Sequence, residues 1–227
     1  MRGAKDAGAD DIVVVDSHGA GGDRNFNSVV PDLLEEGCRY FSQYRWFDFE
    51  TLLREGCDAA IIVGMHAMAG TPDGVLAHTA SYNTWVECRI NDQPVGETAI
   101  LAALCSHHGC PIAVVTGDEA ACREAEELIT PPPVTVAVKR GIGRFSAIHL
   151  HPEAAHRLIQ EKTAQALRDV RSVGLYRPAE PCTVEVQFTS PEIAQGYLTI
   201  EEIEPAGPCG IKATGPTWRD AWRRIGW

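Results

Sequence analysis

The sequence predicts an α/β fold: a mostly parallel sheet flanked by helices, with a smaller C-terminal α+β part. Short apolar runs bounded by Gly, Pro or Asp recur with helical stretches between them, the alternation that βαβ units produce. Three of those runs (12–15, 59–63 and 112–115) are continuous, as strands covered on both faces are. The length of 227 residues suits one compact unit with an appended lobe. Residues 1–130 are read as the α/β part and 131–227 as the α+β part, packed as one unit.

Ala4 to Gly8 reads as the last turn of a helix with a glycine stop, followed by a buried strand at Ile12–Val15. Ser28–Glu36 predicts a short helix and Asp48–Arg54 a clearer one. Ala59–Val63 is a second buried strand, ended by Gly64, and a Gly, Thr and Pro-rich loop covers Met65–Ser81. Thr84–Ile90 alternates, with Trp85, Glu87 and Arg89 set against Val86, Cys88 and Ile90, so it predicts a half-exposed strand before a turn at Asn91–Pro94. Val95–His107 is a helix stopped by Gly109, and Ile112–Val115 another strand. Asp118 caps a helix whose Glu119, Arg123 and Glu127 form a solvated ladder, and three prolines at 131–133 end it. A strand at Val134–Val138, a helix over 152–170, a strand at Val184–Phe188 and a terminal helix from Trp218 to Ile225 complete the order.

Twenty Lys and Arg against 31 Asp and Glu leave a net charge of -11, which repels phosphate backbones and anionic lipid surfaces. Nucleic-acid and membrane partners are thereby disfavoured, and no run of 18 apolar residues occurs. The eight cysteines fall in apolar segments without a Cys-x-x-Cys pair, which predicts free buried thiols and a cytoplasmic location.

Ligands of open α/β sheets bind beyond the carboxyl ends of the strands. Two strands lead there directly into histidines: Val15 into Asp16-Ser17-His18 and Val63 into Gly64-Met65-His66. If the strands are parallel, joined by a crossover that the connecting segment is long enough to make, the two imidazoles project from one sheet edge and suit zinc; alternatively each hydrogen-bonds loop backbone. Glu97 puts a carboxylate in the first turn of a helix, either beside that site or simply favoured by the helix dipole. His78 lies in the glycine-rich loop, as a catalytic residue or as an exposed histidine.

Cys105-Ser106-His107-His108-Gly109-Cys110 spans a helix end and reads as structural, since adjacent helical side chains do not face one site. His149, His151 and His156 do not converge, and Trp218, Trp222 and Trp227 read as packing. Serine-elbow, phosphate-loop and dinucleotide motifs are absent.

Four motifs in order, VVVDSHG, GMHAMAGTPDGVLAHTAS, INDQPVGE and PIAVVTGDEAACREAEEL, resemble the DppA-like D-aminopeptidase family of zinc metallopeptidases (M55) over roughly residues 4–170. The resemblance implies a zinc aminopeptidase that cleaves short peptides with an N-terminal D-residue such as D-Ala, by metal-activated water with a catalytic histidine. It also implies a homo-oligomeric ring. By motif, His18, His66 and Glu97 match metal ligands, and His78 matches the catalytic histidine, as nucleophile or proton-transfer residue. The family's centre holds two zinc ions and takes two further carboxylates from an Asp-x-Glu-Gly strand. Here the only Asp-x-Glu is Asp48-Phe49-Glu50, which opens a helix. The sequence therefore predicts a start downstream of that strand, one zinc or none, and much weakened activity or none. Two other functions fit: a non-catalytic binding or assembly paralogue with an incomplete metal site, and a single-metal amidohydrolase of another small substrate.

Overall fold

A computed structural model of the chain describes residues 1–17, 30–43 and 45–225. The elements are α1 (Arg2–Asp6), β1 (Val13–Val15), a 3-10 turn (Pro31–Leu33), β2 (Arg39–Phe41), α2 (Glu50–Glu55), β3 (Ala60–Met65), β4 (Trp85–Ile90), β5 (Gln93–Val95), α3 (Glu97–His107), β6 (Ile112–Asp118), α4 (Glu119–Leu128), β7 (Val134–Gly143), β8 (Ser146–His149), α5 (Pro152–Leu167), a second 3-10 turn (Val170–Ser172), β9 (Cys182–Phe188), α6 (Pro191–Tyr197), β10 (Ile203–Pro205), β11 (Gly210–Gly215) and α7 (Trp218–Ile225).

Two sheets carry the fold. One has the order β3-β6-β7-β8, parallel except for β8. The other, β10-β11-β9-β4-β5, is antiparallel throughout and has five strands. The predicted parallel sheet is present, but an antiparallel sheet of greater strand number stands beside it. Sheet pairing crosses residue 130 in both cases, β6 with β7 and β4 with β9.

The main core joins α3, buried from Thr98 to Ser106, to apolar residues of β4, β6, β9, β11 and α7. A smaller core lies between β6, β7 and the Leu158–Ala166 stripe of α5. Trp218 and Trp222 do pack: their rings stack at 5.5 Å, and Trp222 stacks on Phe47 at 5.9 Å. All eight cysteines are free, five of them buried.

Several expectations are corrected. Strands 12–15 and 59–63 do not share one sheet edge among the described residues. β1 pairs in parallel with β2, and β3 pairs with β6. The helix expected from Val95 starts at Glu97, because Gln93–Val95 returns along β4 through a tight turn with positive φ at both Asn91 and Asp92. In β4 the register shifts between Trp85 and Glu87, so Trp85 turns inward with Cys88 and Ile90 while Val86 is 52% exposed. Of the helix expected over 28–36, residues 28 and 29 lie outside the described residues and the rest holds one 3-10 turn. The strand from Val134 runs on to Gly143 because it forms a hairpin with β8, which alternation did not reveal.

Candidate metal centre

The site forms where β3 ends and α3 begins. Met65 is the last residue of β3 and delivers His66 to the edge of the parallel sheet; Glu97 is the first residue of α3. The segment between β3 and β4 folds back over this edge and brings His78 to both. Side chains of β6 and α4, and one of its own, pin that segment. Asp118 serves twice: Oδ1 accepts from Ala121 N at 2.8 Å and caps α4, while Oδ2 accepts from Val75 N at 2.6 Å. Thr79 Oγ1 accepts from Ala69 N at 3.1 Å, and Glu124 Oε2 accepts from Met68 N at 2.8 Å. At Gly96, just before α3, any Cβ would lie 2.3 Å from Glu124 Oε1 and 2.9 Å from Met68 Cβ, so only glycine lets these three segments meet.

His66 Nε2 and His78 Nε2 lie 3.4 and 3.5 Å from Glu97 Oε1, and the two imidazoles stack at 3.7 Å. Each ring's other nitrogen is held by backbone: His66 Nδ1 is 3.1 Å from the Ala67 carbonyl and His78 Nδ1 is 2.7 Å from the Leu76 carbonyl. A carbonyl only accepts, so in the neutral rings each Nδ1 carries the proton and each Nε2 lone pair faces Glu97, whereas protonated His66 donates from Nε2 to that carboxylate. Glu97 Oε1 also accepts from Ala80 N at 2.9 Å. Of the alternatives open for His66, both hold: it bonds loop backbone and faces the site.

These donors suit a zinc ion. The three ligand atoms lie within 4.8 Å of one another, and tetrahedral coordination with bonds of about 2.0–2.1 Å separates donors by roughly 3.4 Å. No other group of three or more potential ligands converges among the described residues. His18 lies outside the described residues.

Electrostatics divide the two histidines. Burial works to lower the pKa of His66, but Glu97 beside it outweighs this and the pKa ends above its ordinary value. Burial also tends to raise Glu97, and His66, with His78 and the Ala80 N–H, brings it below the usual carboxylate range. His78 is lowered, first by burial and then by the charge of His66; Arg144 adds in the same direction, against the Leu76 carbonyl and Glu97. His78 therefore stays neutral to lower pH than a free histidine.

Cys105 to Cys110 is structural, as read from sequence: His108 Nε2 meets Glu50 Oε1 at 3.1 Å. Glu50 is likewise structural. Arg219 Nε and Nη2 donate to its two oxygens at 3.2 and 2.5 Å, and Arg54 lies 3.3 Å away, so Asp48-Phe49-Glu50 supplies no ligand among the described residues. Glu124, one turn into α4, is a further buried acid beside the site that no ligand motif marks. Burial, reinforced by Glu97 and Asp118 against the Met68 N–H, pushes its pKa up to about 7. The signal was present: Glu124 lies three and four residues after Ala121 and Ala120, on the buried face of α4.

The family profile of Peptidase M55, described as D-aminopeptidase, matches residues 1–226. D-aminopeptidase of Bacillus subtilis (strain 168) is 33% identical over 189 residues, covering 82% of this chain and 66% of that protein. A solved structure, the Zn-dependent D-aminopeptidase DppA from Bacillus subtilis, described as a self-compartmentalizing protease, has a TM-score of 0.85 and 27% identity. That match covers 98% of this chain and 79% of the other.

Proposed function

The chain belongs to the Peptidase M55 family of D-aminopeptidases, and from that premise we propose that it is a zinc-dependent aminopeptidase acting on short peptides with an N-terminal D-residue such as D-Ala. The observation that carries the proposal is the placement of His66 Nε2 3.4 Å from Glu97 Oε1, a donor separation that suits zinc, with His78 Nε2 3.5 Å from the same oxygen.

His66 Nε2 and Glu97 would hold the metal, with His18 as a further ligand by motif. Zinc in such a site polarises the substrate carbonyl and lowers the pKa of the attacking water. Glu97 is oriented by the Ala80 N–H and His66 by the Ala67 carbonyl, so neither needs to reorganise when the ion binds. His78 is the proton-transfer residue. Its Nε2 faces the site, its ring is fixed by the Leu76 carbonyl, and its lowered pKa keeps it neutral and able to accept a proton. It takes a proton at Nε2 as water attacks and returns it to the departing amine. The self-compartmentalizing relative supports assembly of this chain with its own copies into a ring, and the free buried thiols support a reducing, cytoplasmic setting.

The test is metal analysis of the purified chain with assay of D-Ala release from D-alanyl-D-alanine. The expected outcome is stoichiometric zinc, lost in His66→Ala, and turnover that falls roughly 100- to 10,000-fold in His78→Ala. Little bound zinc together with no release of D-Ala overturns the proposal and favours a binding or assembly protein.

A further inference from the structure

The hairpin of β7 and β8 reaches the loop that carries His78 with its tip. Arg144 and Phe145 are the two turn residues. The Arg144 carbonyl accepts from Leu76 N at 2.8 Å, and the Leu76 carbonyl in turn receives His78 Nδ1, so a single residue separates Arg144 from the proton-transfer histidine. The approach is tight, since a Cβ on Gly141 would lie 1.9 Å from the Asp73 carbonyl oxygen. The hairpin is therefore seated on the loop that carries His78.

The guanidinium of Arg144 lies over the Tyr82 ring, 4.5 Å from its centroid, and 5.6 Å from that of Phe145. No carboxylate is paired with it among the described residues. Stacking on two rings fixes a guanidinium while leaving its edge N–H groups free, the arrangement that presents a fork to a carboxylate. Around it, Leu76, Tyr82 and Phe145 are all more than half exposed, a cluster of apolar surface at the mouth of a polar site.

We propose that Arg144, held over Tyr82 and beside Phe145, binds the free C-terminal carboxylate of a short peptide whose scissile bond lies at His78, and so selects substrates of a few residues. An extended peptide advances about 3.3–3.6 Å per residue. The terminal carboxylate of a di- or tripeptide therefore lies one or two such steps beyond the scissile carbonyl. Leu76, Tyr82 and Phe145 flank the side chain of the residue that bears the carboxylate. The inference rests on the aminopeptidase reading and adds the group that recognises the far end of the substrate.

The test compares D-alanyl-D-alanine with its C-terminal amide in the zinc-loaded wild type, Arg144→Gln and Arg144→Lys. Arg144 is exposed, so the variants are expected to fold. In Arg144→Gln, kcat/KM for the free acid is expected to fall roughly 10- to 100-fold, mainly through KM, as loss of a hydrogen bond to a charged group produces. The amide is expected to change less than about twofold, and Arg144→Lys to recover part of the loss. An equal fall for acid and amide, or no fall for the acid, overturns the assignment while leaving the aminopeptidase standing. If the wild type cleaves neither compound, it is the aminopeptidase reading that fails. Calorimetric binding of the acid and the amide to wild type and Arg144→Gln then decides the carboxylate contact, and equal affinities overturn it.

Discussion

Replacing Glu50 by Gln would test the ion cluster that ties α2 to α7. Glu50 is 5% exposed and Arg219 9%. Burial pushes the Glu50 carboxyl up, but the hydrogen bonds from Arg219 and His108, with the charges of Arg219 and Arg54, overcome this and hold it at about 2 against an ordinary 4.5. The lowered folded-state value means that the stabilisation is fully present above pH 4.5 and is lost as pH falls from 4.5 towards 2. At about 1.4 kcal/mol per pH unit, it amounts to roughly 3 kcal/mol at neutral pH. Glu50→Gln removes this and leaves the Arg219 charge buried without its partner, a change that commonly destabilises by roughly 3–5 kcal/mol. Urea unfolding of the zinc-free protein, followed by tryptophan fluorescence, reads the difference, because Trp46, Trp218 and Trp222 pack in the same region. The gap between wild type and variant is expected to be largest at pH 7 and to narrow steadily below pH 4.5. A double variant, Glu50→Leu with Arg219→Met, is expected to recover most of the loss, since a buried pair replaced by apolar side chains is often neutral. A gap that stays constant from pH 7 to pH 3 would refute the reasoning, as would a Glu50→Gln protein as stable as wild type at pH 7.

Two further outcomes are expected. Gly96→Ala forces a methyl group against Glu124 Oε1 and the Met68 backbone; overpacking of this kind destabilises by roughly 1–3 kcal/mol. Because it moves Glu97 relative to His66, zinc affinity measured by chelator competition should drop more than thermal stability does. Glu124→Gln addresses a carboxyl whose folded-state pKa is raised to about 7, so the neutral acid is the favoured form and the wild type loses stability as pH rises from 4.5 through 7. In zinc-free protein the variant should show a flatter stability profile across that range by denaturant unfolding, and an unchanged slope would count against the assignment.

Local signals carried the order of elements. Asp118 caps α4 as its position before Glu119 predicts, and the continuous apolar run at 112–115 became the fully buried β6. Elements whose existence depends on pairing were not legible in that way. β8, β10 and β11 are short or mixed in polarity, and only the ladders of β8 with β7, of β11 with β9 and of β10 with β11 define them as strands. The β4 bulge reverses Trp85 and Val86 against the alternation, because the large indole enters the aromatic core beside Phe188 and Trp222.

The chemistry divides in the same way. Residue types and motif order, all local to the chain, were enough to single out His66, His78 and Glu97 and to indicate zinc and the family. The tertiary structure alone decided that these three meet, since 31 positions separate His66 from Glu97 and the contact depends on a loop held by Asp118, Thr79 and Glu124. It also decided which carboxylates do other work, Glu50 in an ion pair with Arg219 and Glu124 as a buried acid, and it seated Arg144 on the loop that carries His78. The physical reason is that a side chain's identity is written in the sequence, whereas its proton affinity and its partners depend on which distant segments exclude water around it.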